Sequence, residues 1–357
     1  MKKHAIIPVF IPHKGCPNDC VFCNQKAITA RTADVYPEDV EKIINEYLPT
    51  LEGRGLEEIE IAFFGGSFTG IPIEEQSAFL EVAKKYKDAG KIDRIHLSTR
   101  PDYIDRRILD NLRKYDVDVI ELGVQSFDEE VLLASNRGHS VKAVYDACTL
   151  IREYGFTLGI QLMIGLPLDN REKSIESARK TVEIGPEIAR LYPTVILKDT
   201  ELYEMYKRGE YTPENHDEMV VTVAEMYKIL TGAGINVIRV GLKSTDLIND
   251  GDGEDSAVIG NSYHPAFRQL VEGAIAKEKI DERIKEMFPD AVSKGYWDED
   301  PPSLCPLIKV ISNSRDFSNI IGHKGVNKKY FENEYLWLNI RYEKDNTLAD
   351  GELVVVK

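Results

Sequence analysis

Short apolar runs rich in Ile, Val and Phe alternate with amphipathic segments from the start of the chain to about residue 242. Between the runs lie helix-like stretches such as "PEDVEKIINEYLPTLE", in which Pro37 occupies a first-turn position. The strand-like runs are "HAIIPVFI", "IEIAFFGG", "RIHLST", "VDVIELGVQS", "FTLGIQLMIGLP", "ARLYPTVILK" and "INVIRVGL". This alternation predicts repeated βαβ units and therefore an α/β fold with a parallel sheet, closed or partly closed.

Ligands in such folds bind at the carboxyl ends of the strands. Polar residues and glycines of this chain collect where the predicted strands end. They are three cysteines, Gly65-Gly66-Ser67, Ser98-Thr99-Arg100, Gln125-Ser126 and Gly165-Leu166-Pro167. We therefore expect the functional site at this edge of the sheet.

The alternation stops after "VGLKST". An acidic, Gly-rich segment, "DLINDGDGEDSAVIGNS", is followed by the helix-like "YHPAFRQLVEGAIAKEKIDERIKEMFP" and by "WDEDPPSLCP", whose Pro-Pro marks a boundary. The remaining residues predict the element order β-α-α-β-β. The sequence thus predicts three segments: a barrel domain over 1–245, a linker and helical extension over 246–300, and a small α+β domain over 301–357.

The composition indicates which kinds of partner the protein can bind and in which cellular compartment it occurs. The formal net charge of −15 argues against a nucleic-acid binder held by its overall field, although a local basic patch stays compatible with it. No apolar stretch reaches the roughly 20 residues of a membrane span, and the N-terminus lacks a signal-peptide pattern. We expect a cytoplasmic protein without membrane contact. The odd count of five cysteines favours metal-ligating thiolates in a reducing compartment over a disulfide framework.

Three of these cysteines are crowded into "CPNDCVFC", where Cys16, Cys20 and Cys23 have the spacing CxxxCxxC. A structural zinc site needs four ligands, and His13 could complete such a set. Iron–sulfur clusters are also held by thiolates, and three of them would leave one iron of a 4Fe–4S cluster open to a ligand. The residues alone leave both interpretations open. We expect the other two cysteines, Cys148 and Cys305, to be buried small apolar residues.

The spacing, with the aromatic Phe22 directly before the third cysteine, is similar to the signature of the radical S-adenosylmethionine (radical SAM) superfamily. The resemblance implies that the three cysteines hold a 4Fe–4S cluster whose free iron chelates S-adenosyl-L-methionine (SAM). It also implies reductive cleavage of SAM to methionine and a 5′-deoxyadenosyl radical. "FFGGS" resembles the family's glycine-rich segment, so Gly65, Gly66 and Ser67 are expected at the methionine moiety.

Further stretches resemble the radical SAM core of the Elongator catalytic subunit, a tRNA-modifying enzyme, and less closely oxygen-independent coproporphyrinogen oxidase. They are "LSTRPDYI", "ELGVQSFDEEVL", "NRGHS", "IQLMIGLP" and "RLYPTVILKDTELYEMYKRGEY". The resemblance runs from about residue 5 to about residue 245 and implies a partial (β/α)6 barrel. No acetyl-CoA loop is recognisable, so we do not expect the Elongator acetyltransferase domain.

Carried over by motif, the resemblance implies SAM contacts for four residues in or after the strands. They are Ser98, Gln125, Arg137 and Gln161. Relatives often carry Glu at the first of these positions and Asp at the last, but Ser and Gln can also bind ribose hydroxyls. Tyr192 and Lys198 are candidate catalytic residues in a substrate wall that continues through "ELYEMYKRGEY", although that helix is equally compatible with an aromatic packing face.

In the last segment, "NIIGHKGVNKKYF" resembles the core of a KH domain, in which a GxxG loop clamps a nucleic-acid backbone. Gly322, His323, Lys324 and Gly325 form that loop, and a structural cap with a tight turn is the alternative. "YHPAFRQLVEGAI" looks like a bacterial radical SAM C-terminal extension, with His264 and Arg268 expected to close over the barrel mouth.

The sequence therefore predicts a radical SAM enzyme acting on RNA such as tRNA and reduced by an electron donor such as flavodoxin or ferredoxin. One alternative is a radical SAM enzyme with a small-molecule or tetrapyrrole-like substrate. The other is a non-catalytic iron–sulfur protein that binds RNA.

Overall fold

The computed structural model describes residues 4–11, 14–16, 20–24, 35–245, 248–249, 256–260, 263–289 and 305–357. The chain divides into two compact units, Met1–Pro265 and Ala266–Lys357. His13, most of the acidic Gly-rich segment and the Pro-Pro boundary lie outside the described residues. Among the residues that are described, no helix is both long enough and apolar enough to cross a bilayer.

The first unit contains one sheet of seven parallel strands in the order of the sequence. The strands are β1 (His4–Ile11), β2 (Glu58–Gly65), β3 (Arg94–Thr99), β4 (Val119–Gln125), β5 (Thr157–Ile164), β6 (Ile188–Pro193) and β7 (Asn236–Val240). Each of the seven predicted strands is present, and the predicted α/β class with a parallel sheet is confirmed. The sheet has one strand more than the six of a (β/α)6 unit.

Helices follow the strands as the alternation predicts. They are α1 (Pro37–Leu51), α2 (Ile73–Asp88), α3 (Arg106–Lys114), α4 (Glu129–Ala134), α5 (Val141–Glu153), α6 (Arg171–Ile184), α7 (Glu201–Lys207) and α8 (His216–Gly232). Side-chain caps start several of them; for example, Asp105, Ser140 and Asn170 each accept a hydrogen bond from the backbone N–H three residues on, at 2.8–3.2 Å. Strand residues such as Ile61 and Ile95 are fully buried, as expected for a sheet covered by helices.

The sheet is curled into a partial barrel. Strands β2 and β6 are four steps apart in the sheet, which in a flat sheet would separate them by roughly 19 Å. Yet the guanidinium of Arg190 on β6 lies 4.8 Å from the ring centroid of Phe64 on β2. The inner faces of these strands therefore face each other across a barrel interior, and strand residues that alternate with the core residues point into it.

The second unit has its own three-stranded sheet. Its elements are α9 (Phe267–Met287), β8 (Leu307–Ser312), α10 (Phe317–Ile321), α11 (Val326–Glu334), β9 (Asn339–Lys344) and β10 (Leu353–Val356). The strand order is β10–β8–β9, with β9 parallel and β10 antiparallel to β8. The element order β-α-α-β-β after residue 305 agrees with the sequence, and a short 3-10 turn over His323–Gly325 joins α10 to α11.

The helix predicted for the extension, α9, belongs to this second unit. Ile280 and Ile284 of α9 share an apolar core with Ile308, Val310 and Phe331. Compactness therefore groups residues 266–289 with residues 305–357, whereas the sequence assigns them to separate segments.

One expectation about the remaining cysteines is confirmed and one is wrong. Cys148 is buried within α5, as expected of a small apolar side chain. Cys305 is exposed, because it precedes strand β8 and is not part of the sheet that covers the unit's core.

Candidate functional site

The three clustered cysteines lie on the loop that follows β1, at the carboxyl ends of the strands. Cys20 is buried, Cys23 is half-buried and Cys16 is exposed. The backbone N–H of Cys23 donates to the carbonyl of Cys20 at 2.9 Å, so these two cysteines belong to one tight turn. The sequence expectation that this edge of the sheet carries the informative residues is thus met for the cysteine loop.

Other loops of the same edge hold the cysteine loop in place. The N–H of Val21 donates to the carbonyl of Ser135 at 3.2 Å, and the carbonyl of Val21 accepts from the N–H of Leu202 at 2.7 Å. The amide of Asn24 donates to the carbonyl of Lys198 at 2.9 Å. Phe22, expected near the cofactor, packs with Val21 and Leu202 in an apolar cluster. The loop is therefore attached to segments that follow β4 and β6.

The glycine-rich segment after β2 touches the start of the cysteine loop, backbone against backbone. A Cβ atom added to Gly66 would lie 2.0 Å from the carbonyl oxygen of Lys14. The N–H of Gly66 donates to Ile11 at 2.9 Å, and that of Ser67 donates to Lys14 at 3.0 Å. The close approach of these two loops therefore explains why position 66 is a glycine, because any side chain there would collide with the backbone of Lys14. The predicted contact of this segment with SAM remains a prediction.

A hydroxyl network joins this segment to the end of β3. Ser67 Oγ lies 2.9 Å from Thr99 Oγ1, and the N–H of Arg100 donates to Ser67 Oγ at 3.2 Å. Arg100 is 4% exposed and makes two hydrogen bonds of 2.9 Å to the carboxylate of Asp102. Sequence analysis missed Arg100 as a site residue, although its place at a strand end was visible. Its positive charge lies close enough to the cysteine loop to influence the pKa of the Cys16 thiol.

Two arginines influence the thiol of Cys16. Loss of hydration and the neighbouring Cys20 raise the pKa of Cys16, whereas the positive charges of Arg100 and Arg137 oppose this rise. The same charges favour deprotonated thiolates, which are the form that binds iron. Cationic neighbours and three thiols on one loop thus fit a site for an anionic metal–thiolate centre.

Three residues expected at SAM lie together near the end of β4. Gln161 donates its amide to Gln125 Oε1 at 3.1 Å. Gln125 has a left-handed backbone, with φ of 71°, next to an irregularity in the pairing of β4 with β5. Arg137 approaches from the loop after α4 and donates to the carbonyl of Gly123 at 2.6 Å. The structure brings these side chains to one place, and their contact with SAM remains a prediction.

A layer of charged side chains fills the barrel interior below these residues. His96 Nδ1 lies 2.8 Å from Glu60, and Arg190 Nε lies 2.6 Å from Glu121. All four residues are nearly or completely buried. Burial of charged and polar groups is costly unless they are paired, and each of these four side chains has a partner within the layer. Burial alone would raise the pKa of Glu60, but the hydrogen bond and the electrostatic interaction with His96 outweigh it and lower this pKa.

The charged layer connects to two predicted site residues. Ser98 Oγ donates to Glu121 at 3.2 Å, and Arg190 donates to the hydroxyl of Tyr192 at 3.3 Å. Ser98 and Tyr192 are therefore hydrogen-bonded to the charged layer. Sequence analysis missed this layer, although single polar residues at inner positions of apolar strands, as in "IEIAFF" and "RIHLST", were a visible signal.

At the other end of the layer, three groups that could ligate a metal lie close together. The ligand atoms of His4, Glu58 and Glu60 all lie within 4.8 Å of one another. Arg94 is 3.8 Å from Glu58, so the same carboxylate already has a cationic neighbour.

The other predicted site residues are placed as follows. Lys198 is half-buried, and its backbone N–H donates to Ala257 at 2.8 Å. The ring of His264 lies 5.8 Å from that of His216. Arg268 lies in α9 of the second unit and pairs with Glu272 at 2.7 Å. That Arg268 and His264 close over the barrel mouth remains a prediction.

The four GxxG residues lie in the second unit, between α10 and α11. Gly322 has φ of 77°, and a Cβ added to it would lie 2.7 Å from the backbone nitrogen of Asn327. The amide of Asn327 donates to Gly273 of α9 at 2.8 Å and so fixes the turn on that helix. Lys324 is exposed and also left-handed, with φ of 52°, and His323 Nδ1 lies 3.4 Å from Gln269. The turn is thus held to α9 by the hydrogen bond of Asn327, while the side chain of Lys324 is exposed.

Comparison with known protein families agrees with this geometry. Residues 10–180 match the radical SAM superfamily, and residues 186–277 match the radical SAM C-terminal domain. The chain therefore belongs to the radical SAM superfamily. This places it among the radical SAM enzymes, whose cofactors are a 4Fe–4S cluster and SAM. That the three cysteines hold the cluster remains a prediction.

Curated relatives resemble one part of the chain. A tRNA uridine(34) acetyltransferase of Methanocaldococcus infernus is 26% identical over 264 residues, which is 63% of this chain and 49% of the relative. Human Elongator complex protein 3 is 28% identical over 269 residues, again 63% of this chain and 49% of the relative. The chain thus spans about half the length of these relatives.

A solved structure shares the fold. The archaeal Methanocaldococcus infernus Elp3, with an N-terminal deletion, superposes with a TM-score of 0.60 at 22% identity, covering 78% of this chain and 64% of that one. At this identity the likeness describes the fold alone.

Proposed function

We propose that this protein is a 4Fe–4S-dependent radical SAM enzyme that cleaves SAM in order to modify RNA, with tRNA as the substrate class. The observation that carries the proposal is the cysteine loop. It lies at the carboxyl ends of parallel strands, is fixed to their loops by backbone hydrogen bonds, and is accompanied by two guanidinium groups. Such an edge is where α/β barrels bind their ligands.

The thiols of Cys16, Cys20 and Cys23 would hold the cluster. When reduced, such a cluster supplies the electron for cleavage of the sulfonium of SAM, and 5′-deoxyadenosine is the stable product that reports this cleavage. The chain's own part is to bind and orient. The amides of Gln125 and Gln161 and the hydroxyl of Ser98 would bind hydroxyl groups of SAM, as their side-chain chemistry allows.

Two residues of β6 and the segment after it are proposed to face the substrate. The Tyr192 hydroxyl is oriented by Arg190, and Lys198 is half-buried beside the segment that holds the cysteine loop. A phenol of fixed orientation can hydrogen-bond a base or ribose, and an ammonium group can bind a phosphate. Both groups suit a nucleotide substrate.

RNA as the substrate class is supported by the names of the relatives, one of which acts on tRNA uridine 34. It is also supported by the second unit, where the turn of Gly322–Gly325 is followed by exposed Lys328 and Lys329 on an otherwise acidic chain. A KH-like turn uses such a backbone and such charges to hold phosphates. A flavodoxin or ferredoxin is proposed as electron donor.

The test is release of 5′-deoxyadenosine by the anaerobically reconstituted, reduced protein, with and without total small RNA. We expect RNA to stimulate release, and prior ribonuclease treatment of the RNA to remove the stimulation. Purified tRNA should reproduce the effect, whereas ribosomal RNA of equal mass should not. Release that RNA leaves unchanged would support a small-molecule substrate, and no release by an iron-loaded protein would support the non-catalytic alternative.

A further inference from the structure

Arg137 contacts a cysteine of the proposed cluster site directly. One terminal nitrogen of its guanidinium lies 3.2 Å from Cys20 Sγ, and the other donates to the carbonyl of Gly123 at 2.6 Å. Both residues are buried, Arg137 with 7% of its surface exposed and Cys20 with 9%. The contact is therefore made away from bulk water, where a hydrogen bond from a cation to sulfur is strong.

The surrounding backbone fixes this contact. The N–H of Arg137 donates to Leu132 at 3.0 Å, and the neighbouring Ser135 accepts from Val21, the residue that follows Cys20, at 3.2 Å. The arginine and the cysteine thus belong to one hydrogen-bonded assembly.

Two other basic residues lie near Arg137. The guanidinium of Arg100 is paired bidentately with Asp102, which offsets its positive charge. The other, His139, adds no charge near neutral pH, because burial and the charge of Arg137 lower its pKa to about 3. Arg137 is the one of these three side chains for which a direct contact with Cys20 is described.

We infer that Arg137 is a positioning residue for the cluster, which orients Cys20 by a hydrogen bond to its Sγ and raises the cluster's reduction potential in the absence of SAM. The inference rests on the proposed cluster site. Reduction adds one negative charge to the cluster, and a buried cation with a hydrogen bond to a ligand sulfur stabilises the reduced form. This role differs from binding of the SAM carboxylate, which the family resemblance implies for the same residue.

The test is a potentiometric titration of the reconstituted cluster without SAM, followed by electron paramagnetic resonance, in the full chain. We compare wild type with Arg137→Met, Arg137→Lys and the control Arg179→Met, which removes an exposed arginine of α6. The control should match wild type. Arg137→Met should lower the ratio of reduced to oxidised cluster at a fixed potential at least tenfold, equivalent to about 59 mV for one electron, and Arg137→Lys should fall between wild type and Arg137→Met.

The outcomes separate this inference from the proposed function. A cluster in Arg137→Met with the wild-type potential overturns the inference, and weakened SAM binding in that variant would then assign Arg137 to SAM alone. If Arg137→Met holds too little iron to titrate, Arg137→Lys decides by the same criterion. A wild-type chain that holds no cluster refutes the proposed function itself.

Discussion

Replacing Gly66 by alanine should displace the cysteine loop while the barrel stays folded. The added Cβ would lie 2.0 Å from the carbonyl oxygen of Lys14, and real Cβ atoms do not approach other atoms closer than 3.0 Å. The start of the loop must therefore move by about 1 Å. Cys16 follows two residues later, and metal sites tolerate displacements of only about 0.2 Å.

The cost in stability should be moderate. The displacement strains two backbone hydrogen bonds, Gly66 to Ile11 and Ser67 to Lys14, each worth about 1 kcal/mol. A loss of about 2 kcal/mol is small beside the roughly 5–15 kcal/mol that stabilise a typical domain. For a unit of this size it lowers Tm by about 4–8 °C. Gly66→Ala should thus be folded but unable to assemble its cluster.

The assay is iron and sulfide content after anaerobic reconstitution, together with thermal melting by circular dichroism. Gly232→Ala is the matched control, because a Cβ at that position in α8 meets nothing within 4 Å. The control should bind as much iron as wild type and melt no earlier. Wild-type iron content in Gly66→Ala would refute the argument that the glycine is needed for the approach of the two loops.

Three further changes test other parts of the structure. Alanine at any one of the three loop cysteines should abolish iron loading and 5′-deoxyadenosine release, whereas Cys148→Ala should leave both intact; iron loss in Cys148→Ala would reveal an additional ligand. Burial, aided by the nearby guanidinium, lowers the pKa of His139 to about 3, so its contribution to stability is complete above its ordinary pKa of 6.5 and is lost as the pH falls toward 3. His139→Gln should therefore flatten the fall in the free energy of unfolding by up to about 1.4 kcal/mol per pH unit between pH 6.5 and 4, measured by urea titration, and an unchanged slope would contradict this pKa. Gly322→Ala should lower the melting temperature of the second unit more than Gly325→Ala does. Both glycines have positive φ, but only the Cβ added at Gly322 would collide with a neighbouring backbone atom, the nitrogen of Asn327. Equal losses would show that this contact is unimportant.

The strands were predictable because each is a short apolar run bounded by turn residues, and the sequence order of the sheet follows from βαβ connections. The end of β6 was predicted less well. The apolar run "ARLYPTVILK" continues to Lys198, whereas the strand ends at Pro193. Proline has no N–H to continue the ladder, and the chain leaves the sheet there.

The charged interior could not be predicted from the sequence, because its members come from different strands. Glu60, His96, Glu121 and Arg190 are each surrounded in sequence by apolar residues. Only the register of the strands and the curl of the sheet bring their side chains within ion-pair distance. The single polar residues within the apolar strands were visible in the sequence, but strand periodicity does not show which of them pair with each other.

For Gly66 the sequence predicts the position of the residue in the site but not which contact requires a glycine there. Close approach of a ligand and close approach of another loop both require the absence of a Cβ, so the sequence supports either explanation equally. The same ambiguity applies to Arg137, because a guanidinium can pair with a carboxylate or donate to a sulfur. In both cases the structure supplies a partner within the cysteine loop itself, at Lys14 and at Cys20.

These contacts imply that the cysteine loop depends on closure of the barrel edge more than on its own sequence. It contacts Gly66 after β2, Ser135 after α4, and Lys198 and Leu202 after β6. Strand ends far apart in sequence must be in place before all of these partners are available. Because thiolate ligands bind iron in the folded geometry, cluster binding should in turn stabilise the partial barrel, by the reciprocity that links ligand binding to folding.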